Sequence, residues 1–171
     1  SGSAIGFYGD RGEEQLDEAS PAGDGFLADL CVQWEGATAA ASAAGARVAH
    51  LRTGIVLTPK GGALAKMLPL FKLFAGGKFG NGRQWQSWIS LPDEVGAILH
   101  LLSADVHGPV NLTAPEPVTN AELTALLSRA TRRPAIFHVP AIGLRLGLGE
   151  AASVLLGSQR ARPGVALANG F

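Results

Sequence analysis

The first nine residues, Ser1-Gly2-Ser3-Ala4-Ile5-Gly6-Phe7-Tyr8-Gly9, bring serine hydroxyls, glycines and the chain's only tyrosine around one short apolar run. Such a stretch reads as a strand emerging onto a site: glycine removes the Cβ and tolerates positive φ, so backbone and serine side chains can approach a ligand closely. Elsewhere the reactive residues are scattered. His50, His100, His107 and His138 fall on a strand, a helix, a loop and a strand, with neither metal-site spacing nor that of an acid/base dyad. No metal is expected. Cys31 is the only cysteine and lies on the apolar face of a predicted helix, where a thiol packs as a small apolar group. With no possible intrachain disulfide, a reducing, cytoplasmic compartment fits.

The elements that must position these groups follow from periodicity. Gly9 to Gly25 has no apolar period and reads as a loop. Asp24 is placed to cap a helix in which Phe26, Leu27, Leu30, Cys31 and Trp34 share a face, continuing through the alanines to a stop at Gly45. Arg47 to Leu57 reads as a buried strand parallel to Ser1–Phe7, with the helix as its right-handed crossover. A helix over Ala63–Phe74 is expected to be kinked or shortened by Pro69, and Gly76, Gly77, Gly80 and Gly82 form a turn. Gln84 to Ser90 alternates as a strand. Pro92, Asp93 and Glu94 open a helix with Val95, Ile98, Leu99 and Leu102 as its buried stripe. Gly108–Thr113 is a strand, and Thr119 with Glu122 forms a capping box for a helix that turns Leu123, Leu126 and Leu127 inward. Phe137–Pro140 is a short strand and Ala141–Leu156 is helical.

Composition bounds the function class. The chain has 171 residues, 47% hydrophobic and 16% charged, enough for one folded domain. Fourteen basic residues balance fourteen acidic ones, which argues against a nucleic-acid partner or an anionic membrane surface. No apolar run of about 18 residues and no leader-like N-terminus is seen, so a soluble, unexported protein is expected.

Ser1–Ala4 through Tyr8-Gly9, followed by Asp17-Glu18-Ala19-Ser20-Pro21, resembles the end of the fifth strand in extended short-chain dehydrogenase/reductases, the NAD-dependent epimerase/dehydratase family. Leu51–Leu57, Gly80–Ile89 and Gly108–Ala114 match the same family in the same order. Phe26-Leu27-Ala28-Asp29 with Cys31, Trp34 and Glu35, and Gly61–Pro69, are similar to its atypical branch of nucleoside-diphosphate sugar epimerase or cell-division-inhibitor-like proteins. The resemblance implies the C-terminal portion of a longer member. Its fold would be α/β, the last part of a Rossmann-like doubly wound parallel sheet with a smaller α/β substrate-binding lobe. Residues 1–60 would complete the NAD(P)-binding domain, and 61–171 would be mostly substrate lobe, with 84–114 returning to the Rossmann side. The N-terminal Rossmann half, with the Gly-rich fingerprint absent here, is expected upstream.

By the same resemblance, Ser1, Gly2 and Ser3 lie beside the nicotinamide of NADP or NAD, and Ser3 belongs to the catalytic group. Thr53, Gly54, Ile55 and Val56 face the carboxamide, and Arg83, Gln86, Trp88 and Arg160 surround the substrate. The family's Tyr-x-x-x-Lys pair, which moves the proton, is missing: Leu27 and Cys31, or Phe26 and Leu30, stand where it belongs. Tyr8 is the one substitute proton donor, against the plainer reading of a packed ring. Two functions follow. One is an NAD(P)-binding epimerase or oxidoreductase acting on a nucleotide-sugar or small carbonyl compound. The other is a non-catalytic NAD(P)-sensing or scaffold protein of the same fold. Small-molecule substrate is the expected partner, with room for an oligomer.

Overall fold

In the computed structural model, which describes residues 1–171, the extended segment Gly2–Ala4 (β1) runs into a 3-10 turn over Ile5–Tyr8. The chain continues through β2 (Gln15–Leu16), α1 (Phe26–Gly36), α2 (Ala39–Ala43), β3 (Ala49–Thr53), β4 (Ile55–Leu57), α3 (Gly62–Lys72) and β5 (Gly77–Phe79). Then come β6 (Trp85–Gln86), β7 (Trp88–Ser90), α4 (Leu91–Ser103), β8 (Gly108–Leu112), β9 (Val118–Thr119) and α5 (Asn120–Thr131). The last elements are β10 (Phe137–Val139), α6 (Ala141–Leu148), α7 (Ala152–Leu156), β11 (Arg160–Ala161) and α8 (Gly164–Ala168).

The central sheet has the order β1-β3-β8, all parallel, with Ser3 opposite Arg52 and Arg52 opposite Asn111. Because strand side chains alternate between faces, this register sorts the sheet into two unlike surfaces. On one face Leu51, Val110 and Leu112 pack with Ala97 and Leu101 of α4, with Ile89, and with Ala166 of α8. On the other, the polar row Ser3, Arg52 and Asn111 engages Glu35 of α1 and Tyr8 of the 3-10 turn. A second lobe forms where Phe71 of α3 packs with Leu123 and Leu127 of α5, beside the parallel pair β5–β10. The last residues rejoin the first part of the chain: Ala161 packs with Ile5, Tyr8 and Leu16.

Several expected elements are divided. The helix expected up to Gly45 is two helices, and Asp24 does not cap the first; Gly25, at φ 101°, is the N-cap residue and no side chain bonds there. The strand expected over Arg47–Leu57 breaks at Gly54, whose backbone passes so close to β7's approach that a Cβ would lie 2.6 Å from the Ser87 carbonyl oxygen. Beyond the break, β4 pairs with β7 instead of continuing the main sheet. The Gln84–Ser90 strand likewise divides at fully buried Ser87, whose hydroxyl lies 2.9 Å from the Gln159 carbonyl and accepts from Ala161 N–H. Glycines read as a plain turn include the strand β5. Pro69 lies inside α3 without ending it.

In α4 the packed stripe is Glu94, Ala97 and Leu101, with Ile98 beside it, whereas Val95, Leu99 and Leu102 are exposed. The expected stripe is therefore corrected: the helix is apolar on two sides, and the small Ala97 lets the other side lie against the sheet. Leu126 of α5 is also exposed, one helical position away from the packed Leu123–Leu127 edge. The Thr119–Glu122 capping box forms as expected. No helix is long and apolar enough to cross a membrane.

Candidate functional site

Parallel strands in open α/β sheets present ligands at their carboxyl ends. Here those ends are Ala4, Thr53 and Leu112, and α1 descends over β1 so that Leu27 sits on Gly6 and the Cys31 thiol lies 3.7 Å from the Ala4 carbonyl oxygen. Of the two alternatives for the missing proton-relay pair, the structure brings Leu27 and Cys31 to the strand exit and leaves Phe26 turned to solvent. Neither residue at the exit can stand in for that pair: Leu27 has no polar group, and the buried Cys31 thiol points its proton at the Ala4 carbonyl.

Below this ledge runs a buried polar network. Arg52 donates from Nε and Nη2 to the two carboxylate oxygens of Glu35, each at 2.9 Å, and Ser3 Oγ donates to Glu35 at 2.7 Å. Arg52 Nη1 reaches the Tyr8 phenol at 3.1 Å, and that phenol donates to Asn111 Oδ1 at 2.7 Å. The guanidinium also lies 3.4 Å over the Phe7 ring, a cation–π contact strengthened by desolvation. Glu18 closes the far side by accepting from the backbone N–H groups of Asn111 and Val165.

The charges follow from this geometry. Burial pushes the Glu35 carboxyl up, but the hydrogen bonds from Arg52 and Ser3 and the charge of Arg52 outweigh it and hold the group below the ordinary carboxylate value. For Arg52, burial is likewise outweighed by Glu35 and Tyr8, and its pKa rises. Burial raises the Tyr8 phenol, only partly countered by Arg52 and Asn111. Glu94, on the opposite face, is raised by burial; Thr53 Oγ1 donates to one of its oxygens at 2.9 Å while the other has no partner.

These positions sort the expected site residues. Ser1 and Gly2 are exposed at the start of β1, and Ser3 is buried with its hydroxyl committed to Glu35. Tyr8 is 0% exposed; a substitute proton donor must reach its substrate, so the packed-ring reading replaces that expectation. Thr53 is tied to Glu94, and the N–H groups of Gly54 and Ile55 bond the Leu112 and Ser87 carbonyls, leaving neither N–H for a carboxamide. Ile55 and Val56 belong to the β4–β7 pair.

Among the substrate candidates, Arg83 reaches a cleft. It lines a cavity of about 380 Å³ with Asp10, Glu13, Gln84, Arg145 and Ser158, and is itself bonded to Glu13 at 2.6 Å. This cleft opens on the loop that leaves Tyr8-Gly9, where Ser158 N–H meets Asp10 Oδ1. Gln86 and Trp88 are held in β6 and β7, and Arg160 stacks 4.2 Å over Trp85. The Gln86 Oε1 and Arg160 Nε atoms are buried without partners. Sequence reading missed Asp10, Arg145 and Ser158; the one signal for Arg145 was a single cation inside an otherwise apolar helix.

The parallel sheet with helices on both faces and an α/β lobe beyond it defines the class: a Rossmann-type fold. Comparison with known proteins narrows this. An epimerase family protein of Mycobacterium bovis is 48% identical over 171 residues, covering 99% of this chain and 57% of that protein. A chloroplastic epimerase family protein of Arabidopsis thaliana is 42% identical over the whole chain and 49% of its own length. The crystal structure of a human epimerase family protein with NADPH superposes with a TM-score of 0.90 at 34% identity, covering 99% of this chain and 58% of that one. A UDP-glucose 4-epimerase of Thermus thermophilus in complex with NAD, at 16% identity and a TM-score of 0.74 over 99% of this chain and 57% of its own, shares the fold. Residues 139–171 match a domain of unknown function, DUF1731. The chain belongs to the epimerase family of extended short-chain dehydrogenase/reductases, and it spans about half the length of the curated relatives it matches.

Proposed function

We propose that the intact protein binds NADP or NAD at the carboxyl end of the β1-β3-β8 sheet and presents an adjoining cleft to a small carbonyl or nucleotide-sugar substrate. The observation that carries this reading is the cleft itself, which opens past the exit of β1 in the fold that the NADPH-bound human relative shares. The residues present suit the cofactor in part. Gly6 has no side chain beneath Leu27, which leaves a ledge with an apolar edge, and such a surface suits the face of a flat ring. The cofactor would supply the hydride. What this chain supplies is position: Ser3, through Glu35, fixes α1 against β1, and Arg83 and Arg145 offer guanidinium forks to an anionic substrate. The unpaired Gln86 and Arg160 atoms lie on segments joined by the Gln159 N–H to Trp85 carbonyl bond.

For domain organisation, we propose that residues 1–60, together with β7, α4 and β8, serve the cofactor side. Residues 61–83 and 115–158 form the substrate lobe, and 159–171 return to the cofactor side.

A second reading, a cofactor-sensing or scaffold protein, is favoured by Leu27 and Cys31 in the relay positions and by the enclosure of Tyr8. Deuteride transfer separates the two. The intact protein is incubated with deuterated NADPH or NADH and a panel of keto-sugar nucleotides and small carbonyl compounds, and with NADP or NAD and nucleotide sugars deuterated at the carbinol carbon. Stereospecific transfer in either direction supports the enzyme; cofactor binding with no transfer supports the sensor. Absence of nicotinamide binding contradicts both.

A further inference from the structure

The zero net charge conceals a partition. Residues 1–35 hold eight of the 14 acidic side chains and one cation, Arg11, whereas no Asp or Glu occurs between Glu35 and Asp93. The basic excess gathers at one end of the substrate lobe, where the turn after α3 meets the segment leading into β10. Phe137 N–H bonds the Gly76 carbonyl there, and the Arg133 guanidinium lies 4.7 Å over the Phe74 ring. Residues 70–78 and 129–138 contain Lys72, Lys78, Arg129, Arg132 and Arg133 and no acid.

Between these cations stand large apolar side chains turned outward: Leu73 is 75% exposed, Phe74 50%, Ile136 79% and Phe137 53%. The backbone holds them out. Phe74 and Arg132 adopt φ of 61° and 54°, the left-handed turns that end α3 and α5, closed by the Ala75 N–H on the Leu70 carbonyl and the Arg133 N–H on the Ser128 carbonyl. Beneath the tip, Phe71 is buried against Gly76, where a Cβ would lie 2.7 Å from its ring. The tip is therefore a firm projection and not a frayed end.

We propose that this tip docks on an anionic lipid surface, with Leu73, Phe74, Ile136 and Phe137 entering the headgroup boundary and the surrounding Lys and Arg meeting lipid phosphates. Apolar side chains that project, ringed by one sign of charge, fit an interface-lying protein; each basic residue near such a surface strengthens binding about fivefold, and apolar insertion adds to it. The acidic first segment of a second copy is the other complementary surface within this sequence, and several of its carboxylates are already engaged. Glu14 binds Arg11, Glu18 accepts from two backbone N–H groups, and Glu35 holds Arg52.

The test is sedimentation of the intact protein with vesicles of phosphatidylcholine alone and vesicles of phosphatidylcholine mixed equally with phosphatidylglycerol. Binding is expected to the mixed vesicles only. The pair Arg132→Asn and Arg133→Gln should weaken it about thirtyfold by the per-cation factor, and Ile136→Ser or Phe74→Gly about tenfold. Phe74→Gly suits the positive φ, so its thermal melt should match or exceed the parent's and loss of binding cannot be ascribed to misfolding. The proposal is overturned if mixed vesicles bind no better than neutral ones, or if the charge variants weaken binding while Ile136→Ser and Phe74→Gly do not, since that marks adsorption without insertion. It is equally overturned if the tip instead joins two copies in solution, seen as a doubled mass that Ile136→Ser abolishes.

Discussion

Arg52 and Glu35 show how a few side chains on adjacent elements fix the approach of α1 to the sheet. A buried pair broken from one side leaves an uncompensated charge, which costs about 3–5 kcal/mol; Glu35→Ala should therefore destabilise the protein by roughly 3 kcal/mol in urea unfolding. The pH dependence has a definite sign. Glu35 is depressed in the folded state, so its contribution is present above the ordinary carboxylate pKa and is lost as pH falls through the lower folded value. Parent stability should fall through that acid range, and Glu35→Gln should flatten the fall. Glu94 is the opposite case. Its pKa is raised by burial, so its folded form is favoured in acid and its charge opposes folding at neutral pH. Glu94→Gln should raise the neutral-pH melting temperature by a few degrees, about what 1 kcal/mol gives in a chain of this size, and the gain should vanish in acid. Little of this network was legible beforehand. Ser3 and Tyr8 stood out by type, but their partners Glu35, Asn111 and Arg52 lie 32, 103 and 44 positions away, and no local pattern announces such pairings.

Elements with strong local signals formed where expected: the Thr119–Glu122 capping box, the helix opening at Pro92, and the parallel pairing of β1 with β3. Breaks set by tertiary approach did not show. Gly54 and Ser87 interrupt runs that each read as one strand, because each meets backbone from elsewhere in the chain. Gly54→Ala should accordingly cost about 3 kcal/mol of stability, the upper end of the usual range for overpacking, because the backbone it meets cannot yield. Thr119→Ala, which removes only a cap, should cost about 1 kcal/mol. Paired thermal melts of the two variants check the ranking. The stripe in α4 was misread for a related reason: Val95, Leu99 and Leu102 have the right spacing, yet the side containing Ala97 fits the sheet, and spacing alone does not tell one apolar side from another.

At the scale of the molecule, β1 has a free edge and α4 a free apolar side, in a chain that spans about half the length of its relatives. These surfaces suit the remaining strands and helices of a doubly wound sheet. If they are covered in the intact protein, Leu99→Lys should lower its melting temperature sharply, whereas on an open face the effect would stay within about 0.5 kcal/mol. Cofactor binding at the sheet's carboxyl end depends on the ledge formed by Gly6 and Leu27 at the exit of β1. Titration of the intact protein with NADPH and NADH, followed by nicotinamide fluorescence, tests it most directly when repeated on Leu27→Trp. The parent should bind and the variant should bind at least about tenfold more weakly, a change of about 1.4 kcal/mol, with an unchanged thermal melt. Failure of the parent to bind either nucleotide, or equal affinity in the two proteins, would contradict it.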